Sequence, residues 1–349
     1  MNDTAQPLQV ALIGYGFVGK AFHAPLINAV PGLELSVVAS RDAAKVHADL
    51  PHAQVIADPL EAIRRPEVDL VVIASPNDTH APLALAALEA GKHVVVDKPF
   101  TVTLSQAQAL QQQAQQSGLL LSVFHNRRWD SDFLTLKALL NEGALGEVVY
   151  FESHFDRYRP QVRQRWREQG GVGSGIWYDL APHLLDQALQ LFGKPERLFV
   201  DLGELRPGAQ AVDYFHALLS YGNRRVVLHA SMLAAAESPR YVVHGTRGSY
   251  IKYGLDPQED RLKAGERLPQ ADWGYDMRDG VVTLSRGDLL AEQPLLNIPG
   301  NYPAYYAAVR DAIAGIGENP VPAADAIAVM ALIELGLESA RLQQALPVV

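Results

Sequence analysis

The sequence predicts an α/β protein in two parts: a doubly wound parallel sheet, then an α/β region with an open, mainly antiparallel sheet. Three observations predict it. Up to residue 124, short apolar runs alternate with helix-patterned segments, the rhythm of parallel strands joined by crossover helices. Past that point the runs lengthen, grow rich in aromatic and β-branched residues, and follow one another with short connections, as antiparallel strands do. The tail from Pro303 to Leu346 is mostly helical and amphipathic. With 349 residues, 48% apolar and 20% charged, the chain is long enough for two cores. The boundary is expected at 124–125, giving domains 1–124 and 125–349.

Taken in order, the first strand (Leu8 to Ile13) runs into Gly14-Tyr15-Gly16-Phe17-Val18-Gly19, the G-x-G-x-x-G spacing of a dinucleotide-binding turn. Gly14 permits the tight turn, Gly16 lets backbone approach a pyrophosphate, and Gly19 brings the next helix (Phe17 to Ala29) close to the strand. A glycine-rich turn without a ligand is the plainer alternative, but a turn set between strand and helix has the context of a Rossmann unit. The second strand, Leu33 to Ala39, ends in Ser40-Arg41-Asp42. NAD-preferring folds carry an acidic residue at this place. Ser40 and Arg41 suit the 2′-phosphate of NADP instead, so NADP is the favoured cofactor; NAD, with Asp42 on the ribose, is the alternative. Strands at 53–56, 69–74, 93–97 and 119–124 complete six. Thr79 is expected to cap the helix at 81–90, and Thr103 with Gln106 resembles a capping box opening the next one.

Two further places carry candidate chemistry. Lys98 ends a parallel strand, where such sheets bind their ligands, and an ammonium there can polarise a carbonyl or stabilise an alkoxide. In Ile176 to Phe192, Asp179, His183, Asp186 and Gln190 share one helical stripe in an otherwise apolar segment. Such a stripe lines a pocket, meets polar partners or faces water. A histidine four residues after a carboxylate suits a general base. Pro182 obliges the helix to begin near Asp179 or to kink there. No metal is expected, since no H-E-x-x-H spacing occurs. Between these places lies an arginine-rich segment, Asp156 to Arg167, read as a mobile loop closing over a phosphate-bearing cofactor or a polyol. A formal charge of −9 argues against nucleic acid as its partner. There are no cysteines, which excludes disulfides and thiolate chemistry. No signal peptide or membrane-length apolar run is visible, and a cytoplasmic protein is expected. Apolar residues on both faces of the strands at 213–221 and 225–232 predict a homodimer or homotetramer built on that sheet.

The chain resembles the glucose–fructose oxidoreductase / inositol dehydrogenase / MocA family over essentially its whole length, through the glycine turn, Lys98-Pro99 and Asp179-x-x-x-His183. Phe22-His23-Ala24-Pro25-Leu26, His125-Asn126-Arg127-Arg128-Trp129-Asp130, Tyr158-Arg159-Pro160 and Gly175 to Leu180 are similar to its NADP-dependent scyllo-inositol dehydrogenase branch. The resemblance implies an N-terminal Rossmann domain and a C-terminal domain for substrate and oligomerisation. It implies a hydride transfer in which Lys98 polarises the reacting oxygen, His183 exchanges the proton and Asp179 positions His183. The expected cofactor contacts are Gly14, Tyr15, Gly16, Phe17, Val18, Ser40, Arg41, Ser75, Pro76, Asn77, His80, Asp97 and Lys98. The expected substrate contacts are His125, Arg127, Arg159, Trp166 and Tyr178, for a polyol or sugar. A cis Lys98–Pro99 bond is expected too. Two departures stand out: Asp97, where the family more often has Glu, and Pro182 inside the catalytic helix. A redox-neutral sugar enzyme and a non-catalytic dinucleotide- and sugar-binding regulator are the rival readings.

Overall fold

Strands β1 (Leu8–Ile13), β2 (Leu33–Ala39), β3 (Gln54–Ile56), β4 (Leu70–Ile73), β5 (His93–Val96) and β6 (Leu121–Val123) form one sheet, ordered β3-β2-β1-β4-β5-β6. The structure is a computed structural model and describes residues 6–349 except 165, 172 and the side chain of 166. Every pairing in this sheet is parallel, as expected of strands whose residues are apolar on both faces. Val10 to Ile13, Leu70 to Ile73 and Val94 to Val96 are all buried.

The second sheet gathers nine strands. These are β7 (Val148–His154), β8 (Arg197–Gly203), β9 (Tyr214–Tyr221), β10 (Arg224–Ser231), β11 (Tyr241–Gly245), β12 (Gly248–Lys252), β13 (Gly280–Arg286), β14 (Leu289–Leu295) and β15 (Leu346–Pro347). Their order is β14-β13-β12-β11-β7-β10-β9-β8-β15, antiparallel throughout except for the parallel pair β7–β10. Phe215, Ala217 and Leu219 of β9 are buried, while Tyr214, His216 and Leu218 on the other face are half-exposed.

By packing, one compact unit comprises the described residues up to Trp129 with Gln258–Trp273 and Asn301–Ile327, and the other comprises Asp130–Pro257, Gly274–Gly300 and Ala328–Val349. The two returning segments complete the first unit's core. His23, Phe124, Tyr305 and Tyr306 are fully or almost fully buried. Their rings meet edge-on or tilted at 4.5 Å for His23–Phe124 and 5.0 Å for Phe124–Tyr305, an arrangement aromatic pairs favour. The Tyr305 hydroxyl donates to Ser122 Oγ (2.9 Å).

Local expectations meet mixed outcomes. Thr103 does cap Leu104–Ser117, accepting from the Gln106 N–H, but Gln106 Oε1 returns no bond, so the box is half made. Thr79 caps nothing through its side chain; its hydroxyl donates to the Pro76 carbonyl instead (2.6 Å). The helix after the glycine turn runs over residues 17–28 but widens to a π-turn at Gly19–His23, a rare local form often found at functional sites. Among the described residues, no helix is long and apolar enough to cross a membrane.

Candidate active site

In the first unit, the candidate site stands at the carboxyl edge of the parallel sheet. Gly14 has φ +101°, and a Cβ there would lie 2.8 Å from the Ala74 carbonyl oxygen. A Cβ on Gly19 would lie 2.1 Å from the Gly14 carbonyl oxygen. The protein's own packing therefore demands both glycines. Gly16 differs: a Cβ there would meet nothing within 4 Å. Neither neighbours nor a left-handed φ require glycine at this position, and the space it leaves lies over the start of a helix, where N–H groups favour an anion. The turn thus fits the pyrophosphate of a dinucleotide. Tyr15 is buried and donates to Asp49 Oδ2 (3.1 Å), its own carbonyl accepting from Lys45 Nζ (2.9 Å). Phe17 is exposed and Val18 half-exposed.

At the end of β2, Arg41 is exposed and Ser40 half-exposed. Asp42 Oδ1 accepts the Lys45 N–H (2.9 Å) and caps the following helix. At the end of β4, Ser75 Oγ pairs with Thr79 Oγ1 (2.6 Å) and Asn77 is buried, with Pro76 exposed between them. His80, expected against the cofactor, has no exposed surface. Its ring lies between two carbonyl oxygens, Ser75 at 3.0 Å and Pro99 at 2.9 Å, and so ties the β4 turn to the β5 turn. Burial pushes its pKa down, against the pull of the Asp97 charge. Enclosed in this way, the side chain holds the two turns together.

The β5 turn holds Asp97 and Lys98, and the Lys98–Pro99 peptide is cis, as expected. Lys98 is half-exposed and Asp97 buried. Behind Asp97, His23 Nε2 stands 3.7 Å from its Oδ1, and His23 Nδ1 bonds the Tyr306 hydroxyl (2.6 Å). Burial alone would raise the Asp97 pKa, but His23, with the charges of Lys98 and His80, holds it below the usual carboxylate range. Sequence reasoning passes over this arrangement. Its signal was His23 set among apolar Phe22, Ala24, Leu26 and Ile27. Two expected substrate contacts also fall in this unit. His125 and Arg127 are both almost fully buried, and Arg127 pairs with Glu259, so its charge is balanced within the protein.

In the second unit the segment with Asp179 and His183 is two helices, Gly175–Asp179 and Ala181–Phe192. The break falls at Leu180, where Pro182 sits in the first turn of the second helix and can lack an N–H without loss. Asp179 and His183 therefore stand on either side of a break. Gly175 has φ +77°, and a Cβ there would lie 2.7 Å from the Val212 carbonyl oxygen, which sets the sharp entry to the first helix. The Trp177 indole donates to the Ile333 carbonyl (3.1 Å). His183 and Asp186 are buried, Gln190 half-buried, and Asp179 Oδ1 faces Arg167 Nη1 at 3.4 Å. Tyr178 is buried, which, with the Glu334 charge, raises its hydroxyl pKa.

Arg206 contacts the arginine-rich segment at several points. Buried Arg206 pairs with Asp213 (2.8 Å) and Glu168 (3.1 Å) and donates to the carbonyls of Arg159 (3.1 Å) and Gln161 (3.3 Å). The Arg159 side chain is half-exposed beside this anchor; the side chain of Trp166 lies outside the described residues.

A parallel sheet in this strand order, with a glycine turn after its first strand, marks a nucleotide-binding oxidoreductase. Residues 8–125 match the family description "Oxidoreductase family, NAD-binding Rossmann fold", and residues 137–348 match "Oxidoreductase family, C-terminal alpha/beta domain". The chain belongs to the glucose–fructose oxidoreductase / inositol dehydrogenase / MocA family. It is 70% identical over 334 residues to the uncharacterized oxidoreductase YdgJ of Escherichia coli K12, covering 96% of each chain. It is 38% identical over 336 residues to scyllo-inositol 2-dehydrogenase (NADP(+)) IolW of Bacillus subtilis, covering 96% of this chain and 94% of that one. The solved structure of YPO2259 from Yersinia pestis is similar with a TM-score of 0.96 at 69% identity, over 100% of this chain and 99% of that one.

Proposed function

We propose that the protein is an NADP-preferring dehydrogenase that moves a hydride between the cofactor and a secondary alcohol or ketone of a polyol or sugar, an inositol-like ring being the substrate class. The observation that carries this reading is the adjacency of β1, β4 and β5. The glycine turn, Ser75 to Asn77 and Lys98 follow their carboxyl ends, the edge at which such sheets bind ligands. NADP is supported by Arg41, which is exposed and pairs with no acid among the described residues, while Asp42 spends an oxygen on its helix cap. The similar protein IolW bears NADP(+) in its name.

Gly14 to Val18 would hold the pyrophosphate, Ser40 and Arg41 the 2′-phosphate, and Ser75 to Asn77 with Asp97 the nicotinamide end. When bound, the nicotinamide supplies the hydride acceptor. In the oxidative direction His183 takes the hydroxyl proton, worth ~10²–10⁴-fold in rate, and Lys98 stabilises the developing alkoxide. Asp179 positions His183. Arg159 and Tyr178 touch the substrate, with His125 and Arg127 shaping the wall beneath. On this reading 1–124 binds NAD(P), while 125–349 binds substrate and joins the copies of a cytoplasmic homodimer or homotetramer.

The test follows reduced-nicotinamide absorbance with a panel of inositols and sugars, each with NADP and NAD. Turnover with an inositol is expected. Lys98→Met should abolish it with NADP still bound, because it removes transition-state stabilisation rather than dinucleotide contacts, and His183→Ala should flatten the acid limb of the pH–rate profile. Full activity in either variant refutes the assigned roles.

A further inference from the structure

The half-exposed face of the second sheet carries a row of imidazoles that the proposed reaction does not use. β7 and β10 set His154 opposite His229, and β10 and β9 set His229 opposite His216. Residues two apart share a sheet face, so Glu152 and His154 stand side by side on β7. Asp156 extends that row, because the chain stays paired with β10 beyond the strand: the Phe155 N–H bonds the His229 carbonyl (2.9 Å) and the Arg157 N–H bonds that of Ser231 (2.8 Å).

We propose that His154, Asp156 and His229 form a binding site for a divalent transition-metal ion, with zinc the best match. One ligand atom from each lies within 4.8 Å of the others. His154 Nδ1 is 3.4 Å from Asp156 Oδ2, and His229 Nε2 is 3.4 Å from Asp156 Oδ1. Both contacts lie at the long end for hydrogen bonds. Tetrahedral zinc with bonds near 2.0–2.1 Å separates neighbouring donors by about 3.4 Å. Each histidine stands at that separation from one oxygen of Asp156, His154 from Oδ2 and His229 from Oδ1. Two imidazoles and a carboxylate suit zinc, and also cobalt and nickel.

The surroundings of His154 have the form that metal sites need, while His229 Nδ1 is buried without a hydrogen-bond partner. A ligating histidine usually donates its other N–H to a carboxylate, and His154 Nε2 faces Glu152 Oε2 at 3.3 Å. Glu152 is itself held by the Tyr150 hydroxyl. The Ser231 N–H donates to Asp156 Oδ1 (2.9 Å) and fixes that carboxylate. The three ligand side chains are 19%, 9% and 18% exposed, on the same sheet face that the proposed homo-oligomer would use. The sequence expectation of no metal rested on linear motifs, whereas these ligands meet only through the parallel pairing of β7 with β10.

The test uses the full-length protein, dialysed against chelator and titrated with zinc chloride in competition with a chromophoric zinc indicator. One equivalent per chain is expected, with a rise in Tm over the chelator-treated protein because the ion binds the folded state. Cobalt chloride should give the intense visible bands of a four-coordinate site. The double substitution His154→Gln with His229→Gln should lose the equivalent, and His52→Gln, at an exposed histidine, should keep it. Glu152→Gln retains all three ligands and should weaken binding about 10–100-fold. It therefore reports on the site even if the double variant fails to fold. No zinc uptake by the parent protein, or undiminished uptake by the double variant, overturns the proposal.

Discussion

Substituting Gly16 and Gly19 separately by alanine distinguishes a glycine kept for a ligand from one kept for the fold. A methyl on Gly19 would sit 2.1 Å from the Gly14 carbonyl oxygen. Ordinary contact begins near 3.4 Å, so backbone must move by more than an ångström. Overpacking of this kind costs about 1–3 kcal/mol, and at ~2–4 °C per kcal/mol the Gly19→Ala protein should melt roughly 2–12 °C lower. A methyl on Gly16 meets nothing and narrows the freedom of the unfolded chain, so Gly16→Ala should leave the ligand-free Tm unchanged or raise it by the equivalent of ~0.4–1 kcal/mol. The same methyl occupies the space offered to the pyrophosphate. NADP affinity, read by quenching of intrinsic fluorescence, should fall at least about tenfold, which is ~1.4 kcal/mol. If Gly16→Ala binds NADP as tightly as the parent, or melts as low as Gly19→Ala, the reasoning about this turn is refuted.

Three other outcomes are expected. Arg41→Ala should weaken NADP by the loss of one charge-assisted contact, about 1.5–3 kcal/mol, and leave NAD nearly unchanged; equal losses would show that Arg41 does not read the phosphate. The Asp97 carboxyl titrates below its ordinary 3.8 in the folded protein. Its contribution is therefore complete above the unfolded value and lost as pH falls through the lower folded one. Asp97→Asn should flatten the decline of Tm below about pH 4, and an unchanged acid slope would contradict the account of this buried group. Light scattering at micromolar concentration should give a dimer or tetramer, and a monomer would remove the role assigned to the open sheet.

Much of the fold is legible in the sequence wherever burial is two-sided. The runs at 10–13, 70–73 and 94–96 can only be interior strands, and Pro182 announces the interruption found at Leu180. Legibility fails where burial is one-sided or distant. β13 and β14 carry Ser285, Arg286, Glu292 and Pro294 on an outer, largely exposed pair, so neither shows an apolar run. The helices at 43–47 and 59–63 are too short to display a helical period. For the candidate site, the glycines and Lys98 announce themselves by position. The enclosure of His80 and the contacts from His23 to Asp97 and Tyr306 depend on segments that meet only in three dimensions. Glu152, His154 and Asp156 do alternate visibly, but His229 joins them by a parallel pairing that no local pattern records.

The return of 258–273 and 301–327 to the first unit has a consequence for how the chain is made. Synthesis delivers all six strands of the nucleotide-binding sheet by residue 123. The walls that cover Phe124 and His23 come from Tyr305 and Tyr306, nearly two hundred residues later. A nascent chain therefore holds an unfinished aromatic face for most of its translation. A gene fragment ending at 124 would inherit the same wound permanently, exposing Phe124 and leaving Ser122 without the Tyr305 hydroxyl. The third of the protein that is written first is thus among the last to be sealed, so shuffling it as a detachable cassette would require carrying the two late segments along.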